Sequence, residues 1–256
     1  WSFLTLQATT MSKVIGLNTP ALRKGDPEPP LAKGRGRIYG YRFSPFAERL
    51  VLYAAAKGIE VEFVNVAMSD KPDWYIKKHP QGKEPAFEYD GKILTESAII
   101  PEWMDALFPS SSILPADPYL RAKQKVILEQ AAPLTCSFIS LFGVYNGTVM
   151  GEEAQAKVKA VEDAIDVVEK LLKEEYFGGS SPGYADWMLF PAFERVAIVS
   201  SAVCLPFPSP SRWPALSKWW CRISVHPAAV AVIKPPNVHL GFLKTRAGEP
   251  DADFGI

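Results

Sequence analysis

Short strands alternate with helices in the first part of the chain, and only helical patterns follow. Strands are predicted at residues 37–41, 61–66, 86–89 and 92–94, and helices at 45–57, at 72–78 and from a cap at Thr95 through Trp103. The last two strands are joined by Asp90-Gly91, a dipeptide typical of a two-residue hairpin turn. This order predicts a small α/β domain with a mixed sheet, followed by an all-α domain.

Composition shifts divide the chain into four parts. We predict an N-terminal extension at residues 1–34, an α/β domain at 35–109, a linker at 110–118 and a helical domain at 119–256. Within the extension, residues 11–36 are rich in proline and glycine, which indicates an extended segment without regular structure. Residues 1–10 carry no methionine and no basic signal region, so we expect Met11 to be the natural start.

The helical part has its clearest pattern over residues 152–175. Apolar residues recur there at alternating spacings of four and three. The spacing fits a coiled coil, but so short a repeat beside other helices favours one face of a helical bundle.

The charge balance excludes several classes of function. The 28 Lys and Arg residues equal the 28 Asp and Glu residues, so no basic field exists to attract nucleic acid or anionic lipid. No apolar run reaches the length of a membrane span, about 18 residues. Cys136, Cys204 and Cys221 are odd in number and form no CxxC pair, which argues against a disulfide scaffold or a metal site. We predict buried thiols in a reducing, cytoplasmic compartment, with no metal, nucleic-acid or membrane partner.

Three segments with binding chemistry fall where strands meet helices or loops. Ser44 is predicted to cap the helix that begins at Pro45, and a helix start presents unpaired N–H groups that favour an anion. A second helix start is predicted at 95–97, and the loop 82–86 places Pro85 directly before a strand. Each signal alone is common in ordinary capping. Together, on one edge of a sheet, they favour an extended ligand with acidic groups.

The amino-acid sequences of these segments resemble those of one protein family. The sequence reads RFSPFAER at 42–49, DKPDW at 70–74, GKEPA at 82–86 and LTES at 94–97. In this order the segments resemble the N-terminal domain of omega-class glutathione transferases, and the likeness continues at 114–119, 186–195 and 242–246. The resemblance covers roughly residues 17–246. It implies a thioredoxin-like domain followed by an all-α helical bundle, a homodimer, and glutathione bound between the two domains.

The resemblance also implies which residues bind glutathione. They are Phe46, Lys71, Glu84, Pro85, Glu96 and Ser97. Lys71 would meet the glycine carboxylate, and the main chain of Glu84 would pair with the cysteinyl main chain, exposed by a cis peptide bond at Pro85. Glu96 would hold the γ-glutamyl ammonium group and Ser97 the γ-glutamyl carboxylate.

The catalytic position departs from the family pattern, because Ser44 stands where omega-class proteins normally have cysteine. Serine forms no mixed disulfide with glutathione, so the resemblance leaves open whether thiol transfer and dehydroascorbate reduction carry over. Serine can instead donate a hydrogen bond to the glutathione thiolate. Lowering a thiol pKa of about 8.5 by about 2 units needs about 2.7 kcal/mol. A hydrogen bond to a charged group supplies roughly 1.5–3 kcal/mol and a helix N-terminus up to about 1 kcal/mol.

The sequence therefore predicts an omega-like glutathione transferase that conjugates or reduces small electrophiles, with Ser44 as the catalytic residue. One alternative is a non-catalytic protein that binds glutathione or a hydrophobic ligand. Another is a disulfide reductase that uses a different cysteine, Cys136, facing the cleft. The sequence alone leaves open whether Ser44 is natural or an engineered replacement of cysteine.

The helical half supplies the remaining candidates. For the second-substrate pocket we predict Tyr145, Arg195 and Trp219, of which Trp219 matches a tryptophan that lines this pocket in the family. Gly183 stands where the family usually has Ser or Thr as a helix cap, a change that costs only a few tenths of a kcal/mol. We expect Asp186 to lie in the first turn of that helix with a structural role.

Overall fold

The structure is a computed structural model, and it describes residues 13–245 of the chain. The predictions that concern residues 1–10, Met11 and Arg246 fall outside the described residues.

The first part of the structure is a five-stranded mixed sheet with three helices. In chain order it contains β1 (Val14–Ile15), β2 (Gly36–Gly40), α1 (Pro45–Lys57), β3 (Val61–Asn65), α2 (Asp73–Lys78), β4 (Ala86–Tyr89), β5 (Lys92–Thr95) and α3 (Ile100–Leu107). The strand order is β1-β3-β2-β4-β5. The first three strands in this order are parallel, whereas β4 and β5 are antiparallel to their neighbours. The predicted mixed sheet and its terminal hairpin are confirmed.

Strand β1 corrects the prediction that residues 11–36 lack regular structure. Val14 pairs with Val61 at the edge of the sheet, and Leu22 forms a further isolated bridge with Val66. Pairing with a distant strand stabilises such a short segment, and a local reading of the sequence does not detect it.

Helix α1 begins as its sequence predicts. The Ser44 hydroxyl oxygen accepts hydrogen bonds from the main-chain N–H groups of Phe46 and Ala47, at 3.1 and 3.3 Å, and Pro45 occupies the first turn. The helix ends at Gly58, which adopts a left-handed conformation with φ of 65°. Because Ser44 caps this helix directly after β2, its side chain lies at the carboxyl end of a central strand.

The predicted helix cap at Thr95 is wrong. Thr95 is the last residue of β5, and α3 begins only at Ile100. The residues between them form a turn in which the main-chain N–H groups of Ile99 and Ile100 donate to the carbonyl oxygen of Glu96. Ser97 therefore lies in a turn before the helix rather than in its first turn.

The rest of the described chain is helical. It contains α4 (Pro118–Gln130), α5 (Ala132–Ser137), α6 (Ser140–Tyr145), α7 (Gly151–Leu171), α8 (Tyr184–Val199), α9 (Pro214–Ile223), α10 (Pro227–Val230) and α11 (Pro236–Thr245). Helix α7 buries Val161, Ala164, Ile165 and Val168 along one face, as the spacing predicts, but it ends at Leu171, before the predicted limit at residue 175. Asp186 lies in the first turn of α8 and is fully buried.

The two halves share one hydrophobic core. It extends from the α1 face of the sheet into the helical part and includes Phe87, Leu50 and Met188. The side chain of Arg49 donates to the carbonyl oxygen of Met188 at 2.9 Å, and the Tyr184 hydroxyl donates to the carbonyl oxygen of Ala98 at 2.6 Å. These contacts fix α8 against α1 and against the turn before α3, which border the cavities described below.

Within residues 13–245, no single helix is long and apolar enough to cross a membrane. One bent pair of helices, Pro118–Gln130 and Ala132–Tyr145, passes the same test by length and composition only.

Candidate functional site

A cavity of about 500 Å³ lies beside the start of α1 and the turn after β5. Five of the six predicted glutathione-binding residues line it, namely Phe46, Lys71, Glu84, Glu96 and Ser97. The other lining residues are Arg49, Met68, His79, Gly82, Lys83 and Ala98. The sixth predicted residue, Pro85, follows Glu84 through a cis peptide bond, in agreement with the resemblance. Residues far apart in the sequence thus meet at one edge of the sheet.

The turn after β5 has an unusual backbone. Glu96 has a φ of 78°, in the left-handed region that residues other than glycine rarely adopt. Such conformations cost of order 1–3 kcal/mol and concentrate at functional sites. In this turn Glu96 is exposed, whereas the neighbouring Ser97 is buried. The turn therefore offers a carboxylate and a hydroxyl from consecutive residues to the same cavity.

Arg49 is a site residue that the sequence analysis missed. It is buried, it stands over the ring of Phe46 at 5.2 Å, and its guanidinium donates to the Ser97 hydroxyl oxygen at 3.1 Å. Burial lowers the pKa of Arg49 to about 10, so the side chain remains cationic at neutral pH. The available signal was its position inside the RFSPFAER segment, on the helix that Ser44 caps.

Two lysines add positive charge to the cavity. Lys83 is exposed, and Lys71 is half-buried, with its ammonium group donating to the carbonyl oxygen of Met68. His79 completes this side with a buried imidazole whose Nδ1 has no hydrogen-bond partner, and burial lowers its pKa. The lining combines cations with the carboxylate of Glu96, which suits a ligand that carries both carboxylate and ammonium groups.

Glu84 lines this cavity and carries a buried carboxyl oxygen. As a whole the residue is half-buried, but its Oε2 atom has no contact with solvent and no hydrogen-bond partner. Burial raises the pKa of Glu84 to about 7, although the neighbouring polar groups of Ser44 and of the Tyr41 main chain act in the opposite direction.

Ser44 lines a second cavity, of about 380 Å³, between the sheet domain and the helical part. Its lining comprises Tyr41, Phe43, Ser44, Pro45, Phe46, Met68, Ser69, Glu84, Ile139, Phe142 and Phe242. The rings of Phe43 and Phe242 stack with centroids 4.5 Å apart, so α11 forms one wall. Because Phe46, Met68 and Glu84 line both cavities, the two spaces adjoin at these residues, and Ser44 lines the second cavity beside them. One end of a polar ligand in the first cavity would therefore face the second cavity, whose lining is mostly apolar.

Two family models match the chain in the order of its two domains. The N-terminal domain of glutathione S-transferases matches residues 38–112, and their C-terminal domain matches residues 151–219. The omega-1 glutathione transferase of Caenorhabditis elegans is 44% identical over 247 residues, which cover 94% of this chain and 98% of that protein. The chain belongs to the omega class of the glutathione S-transferase family.

Solved structures share the fold of this transferase. A tau-class glutathione S-transferase from mango, Mangifera indica, has a TM-score of 0.71 at 26% identity and covers 86% of this chain and 100% of its own. A rice glutathione S-transferase in complex with glutathione has a TM-score of 0.72 at 23% identity and covers 84% and 99%. The predicted fold class, a thioredoxin-like domain followed by an all-α domain, is confirmed. The prediction of an enzyme of the glutathione transferase type is also confirmed.

The structure places the three predicted second-substrate residues of the transferase outside this pair of cavities. Trp219 is fully buried and donates from its indole N–H to Asp186 at 2.8 Å, so it cannot reach a substrate in this conformation. Arg195 is also buried, and it forms ion pairs with Glu48, at 2.5 Å, and with Glu194. Tyr145 is half-buried at the end of α6 and lines neither cavity. None of the three therefore lines the cavity that contains Ser44.

The cysteines of the transferase also differ from their prediction. Cys136, Cys204 and Cys221 are all exposed, not buried. Cys136 lies on α5 and lines neither cavity, so nothing in its position links it to Ser44. Among the described residues, no group of three or more His, Cys, Asp or Glu side chains is placed to hold a metal ion.

Proposed function

We propose that this transferase binds glutathione in the first cavity and joins its sulfur to small electrophiles held in the second. The observation that carries the proposal is that the two cavities adjoin at Phe46, beside Ser44, which lines the second. One cavity has a charged lining and the other is largely apolar. The solved rice relative, of the same fold, was crystallised with glutathione.

The charges of the first cavity support an orientation for glutathione. Lys71 would pair with the glycine carboxylate, and Glu96 would pair with the γ-glutamyl ammonium group. Ser97 would donate to the γ-glutamyl carboxylate, with the cation of Arg49 directly behind it. The main chain of Glu84, next to the cis bond at Pro85, would pair with the cysteinyl main chain and bring the sulfur towards Ser44.

Ser44 would then stabilise the thiolate. Its hydroxyl carries one proton, and the N-terminus of α1 adds a favourable dipole. The thiolate sulfur attacks an electrophilic carbon and forms a carbon–sulfur bond; with an aryl halide, the halide leaves with the bonding electron pair. This reaction forms no disulfide, so it does not require a cysteine at position 44.

One observation favours the alternative of a non-catalytic glutathione-binding protein. The carboxyl-bearing residue Glu84 lines the same cavity as Ser44. A negative charge on Glu84 would oppose the formation of a thiolate in that cavity. Homodimer formation and a cytoplasmic location remain predictions from the family resemblance and the composition.

Two activities, measured on three forms of the protein, test the proposal. We expect the unmodified chain to conjugate glutathione to an aryl halide but not to reduce dehydroascorbate. Ser44→Ala should lose about tenfold or more in conjugation, the equivalent of one hydrogen bond to a charged group. Ser44→Cys should gain dehydroascorbate reduction, because the thiolate can form the mixed disulfide.

Ser140→Ala is the matched control, because the Ser140 hydroxyl donates to the carbonyl oxygen of Ser137 and lines neither cavity. Equal conjugation rates in the unmodified chain and in Ser44→Ala, with glutathione still bound in calorimetry, would establish the non-catalytic alternative. Dehydroascorbate reduction by the unmodified chain would show that another thiol carries the reaction.

A further inference from the structure

A third cavity, of about 360 Å³, lies between α4, the end of α7 and the loop before α8. It shares no lining residue with the two cavities described above. Its volume falls within the range of small-molecule binding sites, about 300–1,000 Å³. The proposed function gives this cavity no role, so its lining has to be considered separately.

The side chain of Gln124 reaches this cavity from α4 and also caps α8. The N-cap of α8 is Gly183, which has no side chain that could accept from the first turn of the helix. Gln124 takes that role, because its Oε1 atom accepts from the main-chain N–H of Ala185 at 3.0 Å. A Cβ atom added to Gly183 would meet the Nε2 atom of Gln124 at 2.6 Å. The glycine therefore makes room for the carboxamide.

The nitrogen of the same carboxamide has no acceptor. Gln124 is only 6% exposed, and within residues 13–245 its Nε2 atom donates to no group, although it is not sealed from solvent. Because Gln124 lines the third cavity, we take this amide group to face that space. A donor held at the wall of a cavity favours a ligand that supplies an oxygen acceptor.

Two lysines add positive charge to the same lining. Lys123 comes from α4, and Lys173 follows the end of α7. Both are exposed, and in the described part of the chain neither forms an ion pair. Glu174 supplies one negative charge, so two lysines against one glutamate leave a net charge of +1. The lining therefore favours an anion over a cation.

The rest of the lining is largely apolar. Leu120 and Ile127 line the cavity from α4, and Tyr176 and Phe177 line it from the loop before α8. Leu120 remains 47% exposed, so a ligand that covers it would remove apolar surface from water. An aromatic side chain beside aliphatic ones suits a flat ring system.

We infer that the third cavity binds a small organic anion that consists of a ring system and a single carboxylate or sulfonate group. The anionic group would accept from the amide of Gln124 and pair with Lys123 and Lys173. The ring system would cover Leu120 and pack against Tyr176. This site is additional to the glutathione and electrophile sites of the proposed function.

Calorimetry with naphthalene-2-sulfonate tests the inference on the full chain. Excess S-hexylglutathione is present, so that it competes for the first two cavities. We expect one sulfonate to bind per chain, and its neutral alcohol analogue, naphthalene-2-methanol, to bind at least about tenfold more weakly. Absence of sulfonate binding, or equal binding of the two compounds, would overturn the inference.

The variant Gln124→Glu separates a ligand contact from a purely structural role. It keeps the size of the side chain and the oxygen that caps α8, but it replaces the amide donor with a negatively charged oxygen. We expect the Kd for the sulfonate to rise at least about tenfold. Gln130→Glu is the matched control, because it adds the same charge at an exposed position on α4 that lines none of the three cavities. An unchanged Kd in Gln124→Glu would overturn the inference, wherever glutathione binds.

A double variant keeps the inference testable if Gln124→Glu does not fold. Lys123→Gln combined with Lys173→Gln changes two exposed side chains and leaves the cap of α8 intact. The sulfonate should bind more weakly to this variant, and its affinity should depend less on salt concentration. The same affinity and salt dependence as in the unmodified chain would exclude the two lysines from an anion site and overturn the inference.

Discussion

The guanidinium group of Arg49 donates a hydrogen bond of 3.1 Å to the hydroxyl oxygen of Ser97. The same side chain donates to the carbonyl oxygen of Met188 on α8 at 2.9 Å. One buried cation thus connects α1, the turn after β5 and the helical domain. Its charge lies behind the position proposed for the γ-glutamyl carboxylate, where it favours an anion.

Replacing Arg49 with methionine should therefore weaken glutathione binding. We expect the KM for glutathione to rise about tenfold or more, because the carboxylate loses a charge-assisted contact and Ser97 loses its donor. Steady-state kinetics at saturating electrophile measure the change. Arg35→Met serves as the control, because Arg35 forms an exposed ion pair with Glu60 and lines neither cavity. An unchanged KM in Arg49→Met would exclude Arg49 from the glutathione site.

Features that depend on neighbouring residues were predictable from the sequence. The cap at Ser44, the helix end at Gly58 and the turn at Asp90-Gly91 follow from local conformational preferences. The resemblance supplied the residues that line the first cavity, because their order along the chain is distinctive.

Features that depend on distant contacts were not predictable. Strand β1 forms where Val14 pairs with Val61, and Trp219 is buried where its indole N–H donates a hydrogen bond to Asp186. The direction of the Glu84 side chain could not be read from its position before Pro85. Its Oε2 atom is buried near Gly40 of β2, a residue distant along the chain, and no local pattern encodes such a contact.

Asp186 should be a major contributor to stability. Its carboxylate accepts from the main-chain N–H groups of Phe177, Gly178 and Gly183 and from the indole of Trp219, at 2.8–3.0 Å. Asp186→Asn places an amide donor against these donors and should lower the free energy of unfolding by about 3 kcal/mol. Denaturant unfolding measures this free energy. The control Asp163→Asn, on the exposed face of α7, should change the free energy of unfolding by less than about 0.5 kcal/mol. Similar effects from the two variants would show that the buried network contributes little.

The second cavity should determine the KM for the electrophile and not the KM for glutathione. Ile139 reaches it from the helical half, so Ile139→Trp would fill part of its 380 Å³. We expect a rise of about tenfold in the KM for a bulky aryl halide, since the indole takes the space of its ring, and little change for glutathione. Val225→Trp adds the same group at an exposed position and should leave both KM values unchanged. If Ile139→Trp raised only the KM for glutathione, the two ligand assignments would be wrong.

The ionisation of Glu84 should make the stability of the ligand-free protein depend on pH. Burial raises its pKa from 4.5 to about 7, so between these values the folded chain binds a proton that the unfolded chain releases. Stability should therefore fall as the pH rises through this window, by up to about 3 kcal/mol. This contribution is absent in Glu84→Gln. The free energy of unfolding of this variant should therefore increase relative to that of the unmodified chain as the pH rises. Denaturant unfolding at several pH values measures the difference, and Glu62→Gln controls for the loss of a carboxylate. A difference between Glu84→Gln and the unmodified chain that is constant with pH would mean that Glu84 keeps an ordinary pKa in the folded protein.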